Sequence, residues 1–384
     1  MTTGAIVIEG HVQGLSNTRS LGELGIPVYV IDTVHCLAQH SKYCTKHFKC
    51  PPFNSPAFID FLLSLAEKER LAGWMLIGSN DHIVENLSLN KDRLLRYYRM
   101  LVPDKPHLYD IINKKNLLAI AKECGTSIPD TCYQENMEDA RHFRYPLLIK
   151  GNLGLSFYKT THQKAIQVND YQHLHEVIDH LNESIPKDEV MIQELIPSSI
   201  DNKVVSFTCF AENGSIKSFW MGRKLREHPI RYGTATYAES IYSDAVLNEA
   251  TPLIKALDYT GVCEIEFLLD ERDGKYKLIE INPRTWLWVG LAKACGIDYA
   301  KIMYRYLNGI PQDYLQNYDK GLKWINWITD TFFGLKAVRN GIFSLKEYLG
   351  SLKGQKVKAV WSWKDPMPGI VFPFMLLYIA KRRG

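Results

Sequence analysis

The stretch that decides how this chain is interpreted runs from residue 261 to residue 284 and reads Gly261-Val-Cys-Glu-Ile-Glu-Phe-Leu-Leu-Asp-Glu-Arg-Asp-Gly-Lys-Tyr-Lys-Leu-Ile-Glu-Ile-Asn-Pro-Arg284. Two runs of alternating apolar residues flank Asp273-Gly274, and this pattern predicts two antiparallel strands joined by a tight turn. Because strand side chains alternate between faces, one face of the first strand is expected to carry Glu264, Glu266 and Leu268. The stretch therefore predicts a hairpin with acidic side chains gathered on one face.

The second strand of this hairpin is expected to carry on one face Tyr276, Leu278, Glu280 and Asn282. Pairing the two strands through a loop of about five residues places Glu266 opposite Glu280, and like charges directly opposite each other are destabilising. A divalent cation between them removes this conflict, and Asn282 adds a neutral oxygen of the kind that suits Mg²⁺. The pattern predicts a metal site, and a surface hairpin with solvated glutamates is the alternative.

The residues that follow the second strand extend this prediction. Pro283 ends the strand because it has no N–H with which to continue the ladder. The planar guanidinium of Arg284 then lies beside the carboxylates, where it is suited to gripping a transferred phosphoryl group. Glu266, Glu280, Asn282 and Arg284 together resemble the metal-binding end of ATP-grasp ligases, a superfamily that includes biotin carboxylase, carbamoyl-phosphate synthetase and the D-alanine–D-alanine and D-aspartate ligases.

Length and composition indicate an ordinary globular protein. The chain has 384 residues, enough for two or three structural units, with 46% hydrophobic and 23% charged residues. A net charge of +4 is too small to indicate a nucleic-acid partner. The first residues predict a strand rather than a signal peptide, and no apolar run reaches the roughly 18 residues of a spanning helix. With eight cysteines in such a chain, we expect reduced thiols and a cytoplasmic location.

One segment raises the question of zinc. Residues 35–50 contain His35, Cys36, His40, Cys44, His47 and Cys50. The spacing matches no standard zinc finger and has no Cys-x-x-Cys pair, so a loop that packs on its neighbours is the favoured interpretation. Whether this segment binds a metal stays open at the level of sequence.

The N-terminal third predicts a parallel α/β unit. Strands are expected at Ala5–Ile8, Ile26–Asp32 and Trp74–Gly78, and helices after Ser16 or Asn17 as a cap, at 58–70 and at 82–98. The loop Gly10-His-Val-Gln-Gly14 lacks the G-x-G-x-x-G spacing of a dinucleotide site. Ser79-Asn-Asp81 follows a strand at its carboxyl end, where open α/β sheets place ligands.

The next segment carries weaker motifs that gain meaning from their order. An amphipathic helix is predicted from Asn113-Lys114 to Gly125, and a strand is predicted to end at Lys150. Gly151-Asn-Leu-Gly154-Leu-Ser156 follows and has backbone N–H groups suited to a phosphate, although it is not a Walker A loop. The resemblance implies that Lys114, Lys150 and Ser156 bind ATP, with Asn-Lys in place of the family's usual Asp-Lys.

A strand at Val190–Pro197 resembles the family's adenine hinge. The resemblance assigns ATP binding to Gln193, Glu194, Leu195 and Ile196, with Asp201 as a ribose contact. An ordinary strand that turns at Pro197 is the alternative. A basic run at 222–233 is expected to face the substrate and the polyphosphate rather than solvent. Within it, Lys224 and Arg226 are two residues apart and are predicted to share a strand face and to act in catalysis.

The C-terminal region lies beyond the resemblance, which covers roughly residues 1–310. Ile370–Ala380 is apolar except for Tyr378 and Pro373 and is followed by Lys381-Arg-Arg383. It is too short to span a bilayer, and we expect it to pack on the core or on a second subunit. Homodimerisation and a peripheral membrane contact through residues 369–384 both stay open.

The resemblance implies a fold of α/β and α+β class: a parallel pre-ATP-grasp α/β domain at 1–108, an ATP-grasp lid at 109–192, a core with the metal hairpin at 193–310 and a C-terminal extension at 311–384. It also implies an ATP- and Mg²⁺- or Mn²⁺-dependent ligase that joins a small-molecule carboxylate to an amine through an acyl phosphate. Carboxylase or carbamoyl-phosphate chemistry, or a regulator without catalysis, are the alternatives.

Overall fold

The computed structural model describes residues 3–197, 204–228 and 233–383, with side chains as far as Leu376. The N-terminal unit is a parallel sheet of five strands in the order β3-β2-β1-β4-β5. Its strands are β1 (Ala5–Ile8), β2 (Val28–Asp32), β3 (Cys44–Lys49), β4 (Trp74–Gly78) and β5 (Tyr98–Met100). Its helices are α1 (Val12–Glu23), α2 (Pro56–Glu69), α3 (Asp81–Leu89) and α4 (Lys91–Leu94).

The central strands of this sheet are buried on both faces. Alternate residues of β1 enter different cores, Val7 packing with α1 and Ile6 packing with α2. Two local predictions for this unit are wrong. Helix α1 begins at Val12, so Ser16 and Asn17 lie inside it. The single helix expected at 82–98 is instead α3, which ends at Leu89, followed by the short α4 and by β5, which begins at Tyr98.

The second unit is a four-stranded antiparallel sheet in the order β6-β9-β7-β8. Helices α5 (Lys105–Ile112) and α6 (Lys114–Glu123) lead into it. Its elements are β6 (Thr131–Tyr133), β7 (Leu147–Gly151), α7 (Gly154–Thr161), β8 (Ile166–Val168), α8 (Tyr171–Leu181) and β9 (Val190–Glu194). Leu147 and Ile149 of β7 pack with Leu174 and Ile178 of α8, which gives this unit a small core of its own.

The third unit is a seven-stranded sheet in the order β14-β13-β10-β11-β12-β15-β16. Its elements up to residue 307 are β10 (Val205–Glu212), β11 (Ser215–His228), β12 (Thr234–Ile241), α9 (Asp244–Ala256), β13 (Gly261–Asp270), β14 (Lys275–Asn282), α10 (Val289–Ala294) and α11 (Tyr299–Leu307). One face packs on α9 through residues such as Ile265 and Phe267. The opposite face carries Glu264 and Glu266, because strand side chains alternate.

The C-terminal extension completes this sheet and braces the N-terminal unit. Its elements are β15 (Lys323–Ile325), α12 (Trp327–Arg339), α13 (Leu345–Ser351), β16 (Lys356–Lys358) and α14 (Met367–Arg383). Strand β15 pairs with β12 and β16 pairs with β15. Phe372 and Met375 of α14 pack into the core that also holds Val7, so the part of this helix whose side chains are described packs on the core.

The predicted fold class is confirmed by this arrangement of a parallel α/β unit followed by mixed α+β units. The residue boundaries proposed for the four domains stay a prediction. No helix within the described part of the chain has the length and apolar character needed to cross a membrane.

Candidate active site

The hairpin at the edge of the third sheet forms as the sequence predicts. In the pairing of β13 with β14, Glu264 lies opposite Asn282 and Glu266 lies opposite Glu280. At the turn, the N–H of Gly274 donates to the Asp270 carbonyl at 2.8 Å, and Gly274 has a φ of +72°, which glycine adopts without strain. The opposition of two carboxylates, on which the predicted metal site rests, is therefore confirmed.

One face assignment in the second strand is wrong. The register shifts between Glu266 and Phe267, and Ile279 is the extra residue of this bulge. The bulge turns Leu278 away from Glu280 and into the core beside Phe267. Its N–H donates to the Ser127 carbonyl at 2.8 Å, a contact from a distant segment that the local alternation could not reveal.

Glu264 is a member of the site that the sequence analysis noted on the same face as Glu266 but did not assign. It is 3% exposed, and its carboxylate accepts from Ser206 Oγ at 2.8 Å and from Asn282 Nδ2 at 3.2 Å. Burial, followed by the charge of Glu266, raises the pKa of Glu264 to about 7. The signal that identifies it is the i, i+2 spacing to Glu266.

Lys224 lies among these carboxylates. Its Nζ is 2.8 Å from Oε1 of Glu266, and both side chains are nearly buried. Burial works to lower the pKa of Lys224, but the charges of Glu266 and Glu264 outweigh it and hold the pKa above its ordinary value. The structure thus places the ammonium of Lys224 beside Glu266, one of the predicted metal ligands.

The donor set fits a hard divalent cation. Glu266 and Glu280 supply carboxylate oxygens, and Asn282 supplies an amide oxygen. The ion pair between Glu266 and the ammonium of Lys224 is consistent with a negatively charged site. In the structure Asn282 Nδ2 faces Glu264 at 3.2 Å and Glu280 at 3.4 Å, while its Oδ1 accepts from Arg284 Nη2, so ligation by Asn282 on the carboxylate side requires its amide to turn over and to give up the contact with Arg284. Among the described residues no three His, Cys, Asp or Glu side chains are grouped as a metal cage, and this holds for residues 35–50 as well as for the carboxylate hairpin.

Arg284 is held at the junction of the hairpin and the N-terminal sheet. Its Nε is 2.5 Å from Oδ1 of Asp81, and its Nη2 is 3.2 Å from Oδ1 of Asn282. Asp81 opens α3 at the carboxyl end of β4, the position at which the sequence pattern places ligands. Arg284 therefore lies beside the carboxylate pair as predicted, and Asp81 orients its guanidinium.

The two predicted phosphate lysines come from different elements and meet at the glycine-containing loop. Lys114 begins α6, and its N–H donates to the Asn152 carbonyl at 2.8 Å. Lys114 Nζ lies close to Gly154, where α7 begins: a side chain at that position would bring its Cβ to 3.4 Å from the ammonium. Lys150 Nζ donates to Gln193 Oε1 at 2.8 Å. Burial, followed by the charge of Lys114, lowers the pKa of Lys150 to about 8, against an opposing effect of Glu280.

The predicted adenine hinge is tied to its neighbours. The Glu194 carboxylate accepts from Arg144 N at 2.7 Å and pairs with Arg272 Nη1 at 2.7 Å. The N–H groups of Glu194 and Leu195 donate to the carbonyls of Asp130 and Pro146.

Glu194 therefore positions the hinge through its side chain, and Ile196 is buried beside it. Ser156 is exposed near the start of α7. Asp201 and Arg231 lie outside the described residues.

Arg226 is committed to the C-terminal extension. The register of β11 with β12 is irregular between Lys224 and Arg226, which breaks the alternation that the shared-face prediction requires. Arg226 donates twice to Asp330, from Nε at 2.8 Å and from Nη2 at 2.7 Å, and Nη1 reaches Ser351 Oγ at 2.7 Å. Asp330 is fully buried. The structure therefore does not bring Arg226 to the carboxylates that hold Lys224.

The comparisons with known proteins bear on this geometry. The family model for the ATP-binding domain of the carbamoyl-phosphate synthase L chain matches residues 235–314, which contain the whole carboxylate hairpin and Arg284. A D-aspartate ligase from Enterococcus faecium is 24% identical over 245 residues, covering 60% of this chain and 58% of the ligase. In the carboxylate hairpin and its surroundings the chain is therefore similar in sequence to ATP-grasp enzymes. It spans 58% of the length of that curated relative.

Solved structures share the ATP-grasp fold. An L-amino acid ligase from Bacillus licheniformis superposes with a TM-score of 0.60 at 16% identity, covering 81% of this chain and 75% of that one. The biotin carboxylase domain of a 2-oxoglutarate carboxylase from Hydrogenobacter thermophilus, solved with ADP, its magnesium salt and bicarbonate, superposes with a TM-score of 0.63 at 13% identity, covering 84% and 73%. These likenesses establish the architecture of the fold.

We expect Lys150 to make the binding of ATP by this chain dependent on pH. The protonated amine attracts phosphate, and its pKa is lowered to about 8, so ATP affinity should fall as the pH rises through 8, by roughly tenfold. Isothermal titration calorimetry at several values between roughly pH 7 and pH 9.5 measures how the affinity for ATP changes with pH. Lys150→Arg stays charged and should give a flat profile. Equal slopes for the wild type and Lys150→Arg would contradict the assignment.

We expect the Arg226–Asp330 pair to stabilise the ATP-grasp fold rather than to act on substrate. Asp330→Ala leaves a nearly buried guanidinium unpaired and should lower the free energy of unfolding by about 3 kcal/mol. Denaturant titration measures the loss, and Arg226→Ala/Asp330→Ala should cost less than the sum of the single variants. Asp60→Ala removes the exposed partner of Arg93 and serves as the control, with a change below about 0.5 kcal/mol. Additive losses would contradict the coupling.

Proposed function

We propose that the chain is an ATP-dependent ligase that joins a carboxylate to an amine and releases ADP and phosphate. The observation that carries the proposal is the convergence of two groups of residues. Glu266, Glu280, Asn282 and Arg284 lie together on the hairpin. The charges of Lys114 and Glu280 both influence the pKa of Lys150, which supports a position of the phosphate lysines near that hairpin. Such a set of charges is suited to holding a triphosphate and neutralising it during transfer.

The residues have separate tasks in this reaction. Lys114 and Lys150 hold the ATP phosphates, helped by the backbone that leads into α7. Glu266, Glu280 and Asn282 hold Mg²⁺, which supplies charge neutralisation at the phosphates when bound. Arg284 is held by Asp81 through Nε and Nη2, and the positive charge of the oriented guanidinium stabilises the transferred phosphoryl group.

The chemistry then needs no nucleophilic side chain. A carboxylate oxygen of the substrate attacks the γ-phosphorus, the bond to the β-γ bridging oxygen breaks, and ADP leaves. The amine attacks the carbonyl carbon of the acyl phosphate, loses a proton, and phosphate departs with the oxygen that came from the carboxylate. Each amide bond therefore consumes one ATP.

Two alternatives differ in the acceptor or in turnover. Carboxylase or carbamoyl-phosphate chemistry would replace the organic carboxylate with bicarbonate. The D-aspartate ligase and L-amino acid ligase among the similar proteins favour an amino-acid-like substrate instead. A regulator without catalysis has no need of an intact set of Glu266, Glu280, Asn282 and Arg284, all of which are in place.

A screen of ADP release tests the proposal. The chain is incubated with ATP, Mg²⁺ or Mn²⁺ and pairs of amino acids and small carboxylates, and mass spectrometry identifies any product. The ligase is supported if ADP release needs both a carboxylate and an amine, and if a product appears whose mass is the sum of the two substrates minus one water. ADP release that needs bicarbonate would assign the carboxylase type, and ATP binding without turnover on any pair would assign the regulator.

A further inference from the structure

The C-terminal extension exposes an unusual amount of apolar surface. Of the nineteen large apolar side chains that are exposed in the described part of the chain, ten lie between Trp327 and Phe374. The three most exposed are all in this segment, Trp363 at 83%, Phe374 at 70% and Phe332 at 66%. Scattered exposed apolar residues are ordinary, but such a concentration marks an interaction surface.

The pair of helices α12 and α13, with the loop between them, carries six of these ten residues. Helix α12 buries Asp330, Gly334 and Ala337 and exposes Phe332 and Leu335, the reverse of the usual amphipathic arrangement. The inner side is fixed, because Asp330 binds Arg226 and a Cβ at Gly334 would lie 2.5 Å from Tyr348. The outward position of Phe332 and Leu335 is therefore set by the packing of the fold.

The same outer side continues onto α13. Leu345 and Leu349 are one helical turn apart and are 50% and 54% exposed, and Ile342 in the connecting loop is also exposed. Helix α13 buries Tyr348, which packs against Gly334. We call the outer side of these helices the hairpin patch, defined by Phe332, Leu335, Ile342, Leu345 and Leu349.

The charges around the hairpin patch are positive. Exposed basic residues between 327 and 353 are Lys336, Arg339, Lys346 and Lys353, and within the described chain none of the four forms an ion pair. Of the two acidic residues in that range, Asp330 is buried against Arg226, and Glu347 accepts from the Ser344 N–H as a helix cap. Phe332 and Lys336, like Leu335 and Arg339, lie one turn apart, so apolar and basic side chains share the outer surface.

We propose that the hairpin patch binds the surface of a membrane that contains anionic lipid. Apolar side chains enter the headgroup boundary, and flanking Lys and Arg side chains bind the lipid phosphates and carboxylates. A second copy of the chain fits this surface less well, because its own patch carries the same positive charge. The proposal concerns attachment and is independent of the reaction catalysed.

Flotation with lipid vesicles tests the proposal. The full chain is mixed at low salt with vesicles of phosphatidylcholine alone or of equal parts phosphatidylcholine and phosphatidylserine. We expect flotation with the anionic vesicles, release at high salt, and little flotation with phosphatidylcholine. Phe332→Ser/Leu335→Ser/Leu349→Ser should reduce the bound fraction by at least ~10-fold. Lys336→Gln/Arg339→Gln/Lys346→Gln should remove the preference for anionic lipid.

A matched control separates this surface from general loss of apolar area. Leu24, Leu89 and Leu95 are exposed to a similar degree on the N-terminal unit, and their triple replacement by serine should leave flotation unchanged. Circular dichroism checks that each variant is folded. Absence of wild-type flotation at low salt, or equal loss in the two triple-serine variants, would overturn the proposal. A dimer in sedimentation velocity that dissociates in the hairpin-patch variant would overturn it in favour of a second copy.

Discussion

Glu280→Gln is expected to leave the fold intact and to abolish Mg²⁺-dependent turnover. Glutamate and glutamine have nearly the same shape, and the Glu280 carboxylate accepts only a long contact, 3.4 Å, from Asn282 Nδ2. Loss of a carboxylate ligand removes several kcal/mol of transition-state stabilisation, and about 3–4 kcal/mol corresponds to a ~10²–10³-fold fall in kcat. Steady-state ADP release against Mg²⁺ concentration measures the effect.

The matched control for this variant lies on the same hairpin. Glu271 is exposed in the turn between β13 and β14, away from Glu266, so Glu271→Gln should retain wild-type turnover. Wild-type activity in Glu280→Gln would refute the metal assignment. An equal loss in Glu271→Gln would attribute the effect to general charge on the hairpin.

Arg284→Lys is expected to bind ATP normally and to lose most turnover. The guanidinium donates from Nε and Nη2 to the two oxygens of Asp81 and also reaches Asn282, which holds its planar fork in one orientation. A lysine keeps the charge but cannot be oriented by two parallel donors to Asp81, so we expect a fall in kcat of roughly 10²-fold or more. Separate measurement of the ATP Kd and of kcat distinguishes binding from the transfer step.

An arginine outside the site provides the comparison. Arg93 is half-exposed and pairs with Asp60 on the surface, so Arg93→Lys should change neither quantity. A fall in ATP affinity with unchanged kcat in Arg284→Lys would place Arg284 in ground-state binding and contradict its assigned role.

The parts of the site that the sequence predicted are those set by local rules. The hairpin follows from alternation and from Asp273-Gly274, and the opposition of Glu266 and Glu280 follows from its register. The bulge at Ile279 could not be predicted, because it accompanies a hydrogen bond to the Ser127 carbonyl, contributed by another segment.

Ion pairs between residues that are distant in sequence could not be predicted for the same reason. The Arg284–Asp81 contact joins residues 203 positions apart, and the Arg226–Asp330 contact joins residues 104 positions apart. The basic run predicted that Lys224 and Arg226 act together. In the structure Lys224 pairs with Glu266 and Arg226 pairs with Asp330. A single sequence shows the charges but not which partner each of them meets.

Transfer of oxygen from the carboxylate to phosphate tests the central claim most directly. A carboxylate substrate labelled with ¹⁸O is incubated with ATP and the amine, and the released phosphate is analysed by mass spectrometry. Phosphoryl transfer to a carboxylate oxygen predicts one labelled oxygen in the phosphate for each amide formed, with ADP as the other product. AMP and pyrophosphate as products, or label that appears in water alone, would contradict the account.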